Sequence, residues 1–324
     1  MDNLKKKPIL LFALVLVTLY IIIYIIPRVT GALVSSYTIE YGELKVQDQT
    51  TGYLVRNEQV YTAKASGKAN RYIDDYTLVR AGTTVMEVSG SGDNEPDTKY
   101  SELLTRLGND RVQTSDFSTK EGGIISYYAD GYEGKLNPEN MAKGDYDYYS
   151  KLTQDAVLSL EREQINKGEP VFKVVDRTKW YIVCFIDQSH MDRYEQGDEI
   201  TVEFEDDTVL ADVYSVTKSG NKARIILETV YYYEKFAQTR AADISLVTYQ
   251  QSGLLIDNDS IAEEKKQQGV YVKNKSNKFG FVPIQVMATN GERSLVADTT
   301  YIDEGTGKTV STVEIYDEIL KNPN

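Results

Sequence analysis

The chain opens on one unbroken apolar run and then turns to short, alternating segments. Lys5, Lys6 and Lys7 precede Ile9 to Ile26, eighteen residues without a charge, in which Thr18, Tyr20 and Tyr24 are the only polar-capable members. As a helix the run spans about 27 Å at roughly 1.5 Å per residue, near the hydrocarbon thickness of a bilayer. Pro27 and Arg28 close it. The lysines predict a cytoplasmic N-terminus and put everything after Arg28 outside. A cleaved signal peptide is the alternative. Its apolar core would be about 7–15 residues before a small-residue cleavage site, and Thr30-Gly31-Ala32 is a poor one. No later segment is apolar enough to span a membrane, which argues against a channel formed by this chain alone.

Beyond the run, period-two patterning dominates. Tyr37 to Thr62 reads as strands, with a turn at Gly42-Glu43 and clear alternation toward Tyr61. Thr98 to Leu107 predicts one short helix with Leu103, Leu104 and Leu107 on a face. Asn137-Pro138 is a helix-start signal. Leu152, Ala156, Val157, Leu160 and Gln164 share the spacing of one helix face ending near Gly168. From Trp180 onward, Val183–Ile186, Glu199–Phe204, Val209–Ser215, Ala223–Leu227 and Ile244–Tyr249 predict strands at barrel-like spacing. The tail adds 270–272, 281–287 and 294–297, and Val313 to Leu320 reads as either a last strand or a short helix.

Two stretches look like one element written twice. Ser66-Gly67-Lys68 to Asp74-Asp75-Tyr76 is echoed 56 residues later by Gly122-Gly123-Ile124 to Asp130-Gly131-Tyr132. Each copy meets a second match, Arg80-Ala81-Gly82 to Val88 beside Asn166-Lys167-Gly168 to Val174. Gly67 to Gly82 is 15 residues and Gly123 to Gly168 is 45, so about 30 residues are inserted after Glu133 in the second copy. The pattern predicts a small β domain split into halves.

Composition narrows the function classes. The 324 residues suit two or three domains, and 41% apolar content supplies their cores. A formal net charge of −13 offers no basic face for nucleic acid. Twenty-five tyrosines suit half-wet β surfaces, with a sugar or envelope-polymer contact as the functional alternative. The single cysteine, Cys184, lies in an apolar strand-like run and reads as a buried thiol, so no intramolecular disulfide forms.

The ordered half-motifs after an N-terminal anchor resemble the HlyD-like periplasmic adaptor, or membrane fusion protein, family. Ala63-Lys64-Ala65-Ser66-Gly67 looks like the opening of the first lipoyl-like half, and Val79 to Val88 its closing strand. Asn166 to Asp176, followed by Trp180-Tyr181-Ile182-Val183, looks like the second half entering the barrel. Tyr194 to Phe204 is similar to the barrel's glycine turn and strand. The resemblance implies a mainly β fold: an N-terminal transmembrane helix, a split lipoyl-like barrel-sandwich hybrid, a β-barrel and a membrane-proximal β domain, with short helical insertions. The implied layout is a cytoplasmic tail at 1–8, the span at 9–26, membrane-proximal and barrel strands at 27–62, and half 1 at 63–90. A short hairpin or loop follows at 91–120, then half 2 at 121–176 with a helical insertion at about 134–166. The barrel occupies 177–250 and the membrane-proximal domain 251–324. Gly67, Gly82, Gly123, Gly168 and Gly197 are expected as structural turn glycines. Family members that bridge to an outer-membrane channel carry a long coiled-coil hairpin. The gap here is about 30 residues, and a ten-residue helix is only about 15 Å long. This fits a cell with one membrane, or an adaptor working close to the bilayer.

The chemistry expected is sparse. Lys64 in Ala63-Lys64-Ala65 faintly matches a biotin-attachment tripeptide but precedes a turn instead of occupying a hairpin tip, so no cofactor is expected. His190 has no second histidine or cysteine partner to complete a zinc set. Asp74-Asp75, Asp206-Asp207 and Asp257-Asn258-Asp259 do not match calcium-loop spacing and read as solvated turns. No phosphate loop or nucleophile elbow is present. The chain is therefore read as a non-catalytic, membrane-anchored extracytoplasmic adaptor. Its expected partners are membrane lipid through the helix, an ABC-type transporter or envelope proteins, and other copies of itself. The alternative is a cell-envelope scaffold for division, sporulation or wall-polymer binding.

Overall fold

The computed structural model describes residues 6–25, 35–90, 98–152, 157–231 and 239–323. The Pro27-Arg28 stop, Thr30-Gly31-Ala32 and Ala156 lie outside them. The described chain is mainly β, with few helices. It divides into two compact units, one built from residues 1–46 and 250–324, the other from 47–249.

In the first unit, helix α1 (Lys6–Tyr20) continues into one π-helical turn, Ile21–Ile25. Among the described residues no helix is long and apolar enough to cross a membrane. The C-terminus settles as a strand: Glu318–Leu320 pairs with Ser36–Thr38 and touches the ladder of Gln267–Lys273. Ile39, Leu254, Ile256, Val270, Ile284, Val296, Val313 and Ile319 form this unit's core.

In the second unit, β1 (Glu40–Val55) leads from Gln47 onward into a sandwich. Its strands are β2 (Glu58–Ala63), β3 (Gly67–Arg71), β4 (Leu78–Val79) and β5 (Met86–Ser89), then β6 (Arg111–Thr114), β7 (Gly123–Ser126), β8 (Tyr128–Ala129) and β9 (Leu158–Ser159), and last β10 (Gln164–Ile165) and β11 (Pro170–Val175). One sheet runs β4-β7-β11-β2-β6 and the other β10-β3-β5. The repeat seen in the sequence is a repeat in space. Lys68 faces Ser89, Ala69 faces Val88 and Asn70 faces Glu87; in the second copy Ile124 faces Val175, Ile125 faces Val174 and Ser126 faces Lys173. Each partner is displaced by a constant offset along the chain. The crossovers obey the same rule. Ala63 and Thr119 donate to the Glu169 and Thr83 carbonyls, both at 3.0 Å, and Gly168 and Gly82 donate to the Ala63 and Thr119 carbonyls, both at 2.7 Å.

This symmetry corrects the helix expected from Leu152 to Gln164. Strand β10 is the second-half counterpart of β4: β4 pairs β7, and β10 pairs β3. Leu158–Ser159 pairs with Tyr128–Ala129. These backbone groups complete ladders, so tertiary pairing overrides a helix-like spacing of side chains. Among the described residues of the insertion, helix is confined to α3 (Tyr146–Ser150), and Asn137 caps only a turn, accepting the Asn140 N–H at 3.0 Å. The segment between the halves forms α2 (Thr98–Leu107), which buries Tyr100, Leu103 and Leu107 in the sandwich core instead of projecting as a hairpin. Strand β6 then pairs with β2 in parallel.

The barrel follows. Strands β12 (Trp180–Asp187), β13 (Glu199–Glu203), β14 (Thr208–Ser219), β15 (Lys222–Thr229) and β16 (Ala241–Asp257) join β1 in the order β13-β14-β15-β12-β1-β16. Pairing of β13 with β16 closes the ring, which removes exposed edges. Trp180, Ile182, Cys184 and Ile186 of β12 point into its core with Leu54, Val202, Val213 and Leu246. Burial pushes the Cys184 thiol up and keeps it inert.

Candidate functional site at the sandwich and barrel junction

Six charged side chains meet where the sandwich abuts the barrel. Arg56 follows β1, Glu58 opens β2, Asp130 and Glu133 flank the start of the insertion, Lys173 sits in β11, and Arg240 precedes β16. None of the six side chains is more than 8% exposed, so water does not screen them. Arg240 Nη2 donates to Glu58 at 2.7 Å, and its Nε donates to Asp130 at 2.6 Å. Lys173 Nζ lies 2.8 Å from Glu58 and 3.3 Å from Glu133, and Arg56 Nε lies 3.2 Å from Glu58. Asp130 and Gly131 donate their backbone N–H groups to the Glu133 carboxylate at 3.0 and 2.8 Å. Three cations oppose three carboxylates, so the buried cluster is neutral when all are charged.

The cations decide the protonation of the cluster. Burial raises the Glu58 carboxyl, but Arg240, Arg56 and Lys173 outweigh it and hold the group down at about 2. Asp130 is likewise held below its ordinary range, chiefly by Arg240, against its burial. Glu133 goes the other way: burial pushes it up, and Lys173 does not offset the neighbouring Asp130 and Glu58 charges. Burial lowers the Arg56 guanidinium to about 10. Ionic contacts of this kind are directional. They tie Arg56 and Arg240 of the barrel to Glu58, Asp130, Glu133 and Lys173 of the sandwich in one arrangement.

The insertion adds an apolar clamp. Leu136, Met141 and Tyr149 lie on the outer face of the barrel against Tyr53, Val55, Tyr181, Val183, Phe185 and Ile226. Tyr149 stacks at a tilt on Tyr53 and Phe185, with ring centroids 5.0 and 5.5 Å apart, and donates to the Met141 carbonyl at 2.7 Å. Arg224 Nη1 donates to the Gly144 carbonyl at 2.9 Å. The unbroken apolar run Trp180 to Ile186 thus has a reason. Its even positions face the barrel core, and its odd positions face the insertion.

His190 contacts Asp48, with Nδ1 2.6 Å from Oδ1. The buried Asp48 also accepts from Tyr194 Oη at 2.8 Å and Arg193 Nη1 at 3.2 Å. Burial and the Asp48 carboxylate push the Tyr194 phenol up. Asp48 thereby fastens the turn Gln188–Arg193 to the barrel. Among the described residues no serine or thiol bonds the imidazole, and no group of three or more histidine, cysteine or acidic side chains could hold a metal ion. Lys64 is exposed, and its backbone N–H donates to the Thr114 carbonyl at 3.0 Å.

The five glycines are of two kinds. Gly82, Gly168 and Gly197 have φ of +82°, +88° and +96°. Gly67 and Gly123 are not turn residues: they open strands β3 and β7, where a Cβ would stand 2.6 Å from the Ser89 carbonyl oxygen and 2.5 Å from that of Val175. Close approach of backbones, not positive φ, requires glycine there. The ionic cluster is the feature that sequence reasoning missed. Its one visible signal is Lys173, a charge inside the apolar run Val171 to Val175.

Two family descriptions match the chain, an RND-related barrel-sandwich hybrid domain over residues 58–176 and an RND-related β-barrel domain over residues 180–250. Together they span more than half of the sequence. No curated protein matches at a significant level. Among solved structures, MacA from Actinobacillus actinomycetemcomitans is similar at 12% identity, over 89% of this chain and 99% of that one, with a TM-score of 0.40. ZneB from Cupriavidus metallidurans is similar at 10% identity, over 89% and 92%, with a TM-score of 0.28. The membrane fusion protein Spr0693 from Streptococcus pneumoniae R6 is similar at 7% identity, over 63% and 97%, with a TM-score of 0.28.

Proposed function

We propose a non-catalytic adaptor role in an efflux assembly, starting from the premise that the chain belongs to the periplasmic adaptor, or membrane fusion protein, family. The observation that carries the reading is the uninterrupted order of the two matched domains, hybrid then barrel, pinned together by a buried ionic cluster. An adaptor transmits position, and a junction with one permitted geometry suits that task. Chemistry is not part of the reading, because the histidine and the carboxylates serve structural contacts.

The finer reading is that Ile9–Ile26 anchors the chain, with the N-terminus cytoplasmic and the β domains outside. Its support is the lysine cluster ahead of eighteen uncharged residues. The outward exposure of Phe12, Leu14, Val15, Leu16, Val17 and Leu19 adds to it, since a helix apolar all round needs a membrane or a core. An ABC-type transporter as partner and side-by-side packing of copies belong to the same proposal. The layout at 9–26, 63–90, 121–176, 177–250 and 251–324 is kept with it. The packing of α2 onto the sandwich favours action close to the bilayer. No observation favours the division or wall-scaffold alternative over the adaptor reading.

Cross-linking of the full chain in its native membranes, followed by purification and mass spectrometry, tests the proposal. Recovery of a membrane transporter is the expected result. Recovery of division or wall-synthesis proteins without any transporter would overturn it.

A further inference from the structure

The duplication leaves one of its two ends open. In one copy Ser66 Oγ accepts the Lys167 N–H at 2.9 Å and closes the loop after β10. By the offsets that relate the copies, Ser66 corresponds to Gly122 and Lys167 to Ala81. Gly122 brings no hydroxyl, and the exposed Ala81 has no acceptor for its N–H among the described residues. A groove of about 590 Å³ opens at this place, floored by Leu78, Val79, Gly122 and Gly123 and flanked by Arg80 and Arg177.

Three properties of the groove bear on what it can hold. It lies across the ends of three paired strands, β4, β7 and β11. Leu78 is 56% exposed on it. Neither the Arg80 nor the Arg177 guanidinium has a partner among the described residues, in a chain of net charge −13. Asp176 on the same rim makes no ion pair with either and leaves the rim with one positive charge in excess. Its carboxylate accepts from the Thr178 N–H and Oγ, both at 2.8 Å. Charge on an edge strand often serves only to repel other edges. Here the two arginines border an apolar hollow, and the Ala81 N–H beside it is open to solvent.

We propose that this groove docks an extended, acidic segment of a partner protein, which crosses the ends of β4, β7 and β11 between Arg80 and Arg177. Apolar residues of the segment would cover Leu78 and Val79, and its carboxylates would meet Arg80 and Arg177 through charge-assisted bonds. The inference does not depend on the transport role.

Fluorescence anisotropy on the full chain in detergent tests it. The probe is a labelled ten-residue peptide alternating valine and glutamate, and the control alternates valine and serine. The acidic probe is expected to bind about tenfold or more tightly than the control and to weaken as salt is raised. Arg80→Glu with Arg177→Glu should abolish the difference while leaving the circular dichroism spectrum and melting temperature unchanged. Gly122→Ser, which supplies the missing hydroxyl to Ala81, should weaken binding without altering charge. Equal binding of both peptides, or binding indifferent to the double variant, overturns the proposal. So does a concentration-dependent dimer in sedimentation velocity that the double variant abolishes, because the occupant is then a second copy of this chain.

Discussion

Arg240 holds Asp130 with two nitrogens, Nε at 2.6 Å from one carboxylate oxygen and Nη2 at 3.0 Å from the other. The same Nη2 also reaches Glu58 at 2.7 Å. Removing either partner strands a charge in a dry site. Arg240→Ala and Asp130→Ala should each cost about 3–5 kcal/mol in urea unfolding. Arg240→Lys should recover little of the loss, because an ammonium cannot present the planar fork that spans both carboxylates. A cost below about 1 kcal/mol, the level of an exposed pair, would show that water reaches the cluster.

The cluster also sets an acid limit. Glu58 is held at about 2, below its usual carboxylate value, so its ionised form favours the folded state. Its contribution is complete above the unfolded value near 4.5 and is lost as pH falls toward about 2. Asp130, also lowered, acts with the same sign. Glu133 is raised and acts with the opposite sign, favouring the fold as pH falls through its own window above 4.5. Denaturation midpoints measured from pH 6 downward should therefore decline mainly below about 4.5. Glu58→Gln should lower stability at pH 6 and flatten the decline. A decline of unchanged slope in that variant would place the acid sensitivity elsewhere.

The paired strands predict matched responses at symmetric sites. Gly67→Ala and Gly123→Ala each drive a methyl into a backbone carbonyl that cannot yield, at 2.6 and 2.5 Å. Both should cost more than about 2 kcal/mol, in the range of overpacked cores. Gly82→Ala meets no atom within 4 Å and incurs only the penalty of φ +82°, roughly 1–2 kcal/mol. Thermal melts of the three variants give the order directly. A tolerated Gly67→Ala beside a damaging Gly123→Ala would mean that the halves are not equivalent.

These contrasts show what a single sequence exposes. Gly67 and Gly123, with Val88 and Val174, carry the duplication because both copies must satisfy the same close backbone contact. Short α2 was legible because Leu103 and Leu107 lie on one face over a full turn. Strand β10 was not legible: Gln164 and Ile165 are too few to show a period, and Leu152 and Leu160 happen to repeat at helical spacing. The ionic cluster was hidden for another reason. Arg240 meets Asp130 across 110 residues and Glu58 across 182, and charge alone does not reveal such pairing.

The part of the insertion around Tyr149 should prove structural to the barrel and dispensable to the sandwich. Tyr149 is fully buried, yet the cluster it anchors contains no residue of the sandwich core. Tyr149→Ala removes an aromatic ring from between Tyr53 and Phe185 and should cost about 3–5 kcal/mol. Hydrogen exchange should then quicken in Trp180–Asp187 and Lys222–Thr229, whose outward faces it covers. Exchange in Gly67–Arg71 and Met86–Ser89 should stay unchanged, because Met86 and the half-buried Ala69 and Val88 belong to the separate sandwich core. Faster exchange throughout the sandwich would show instead that the insertion and the ionic cluster unfold as one unit, coupling the two domains more tightly than separate cores require.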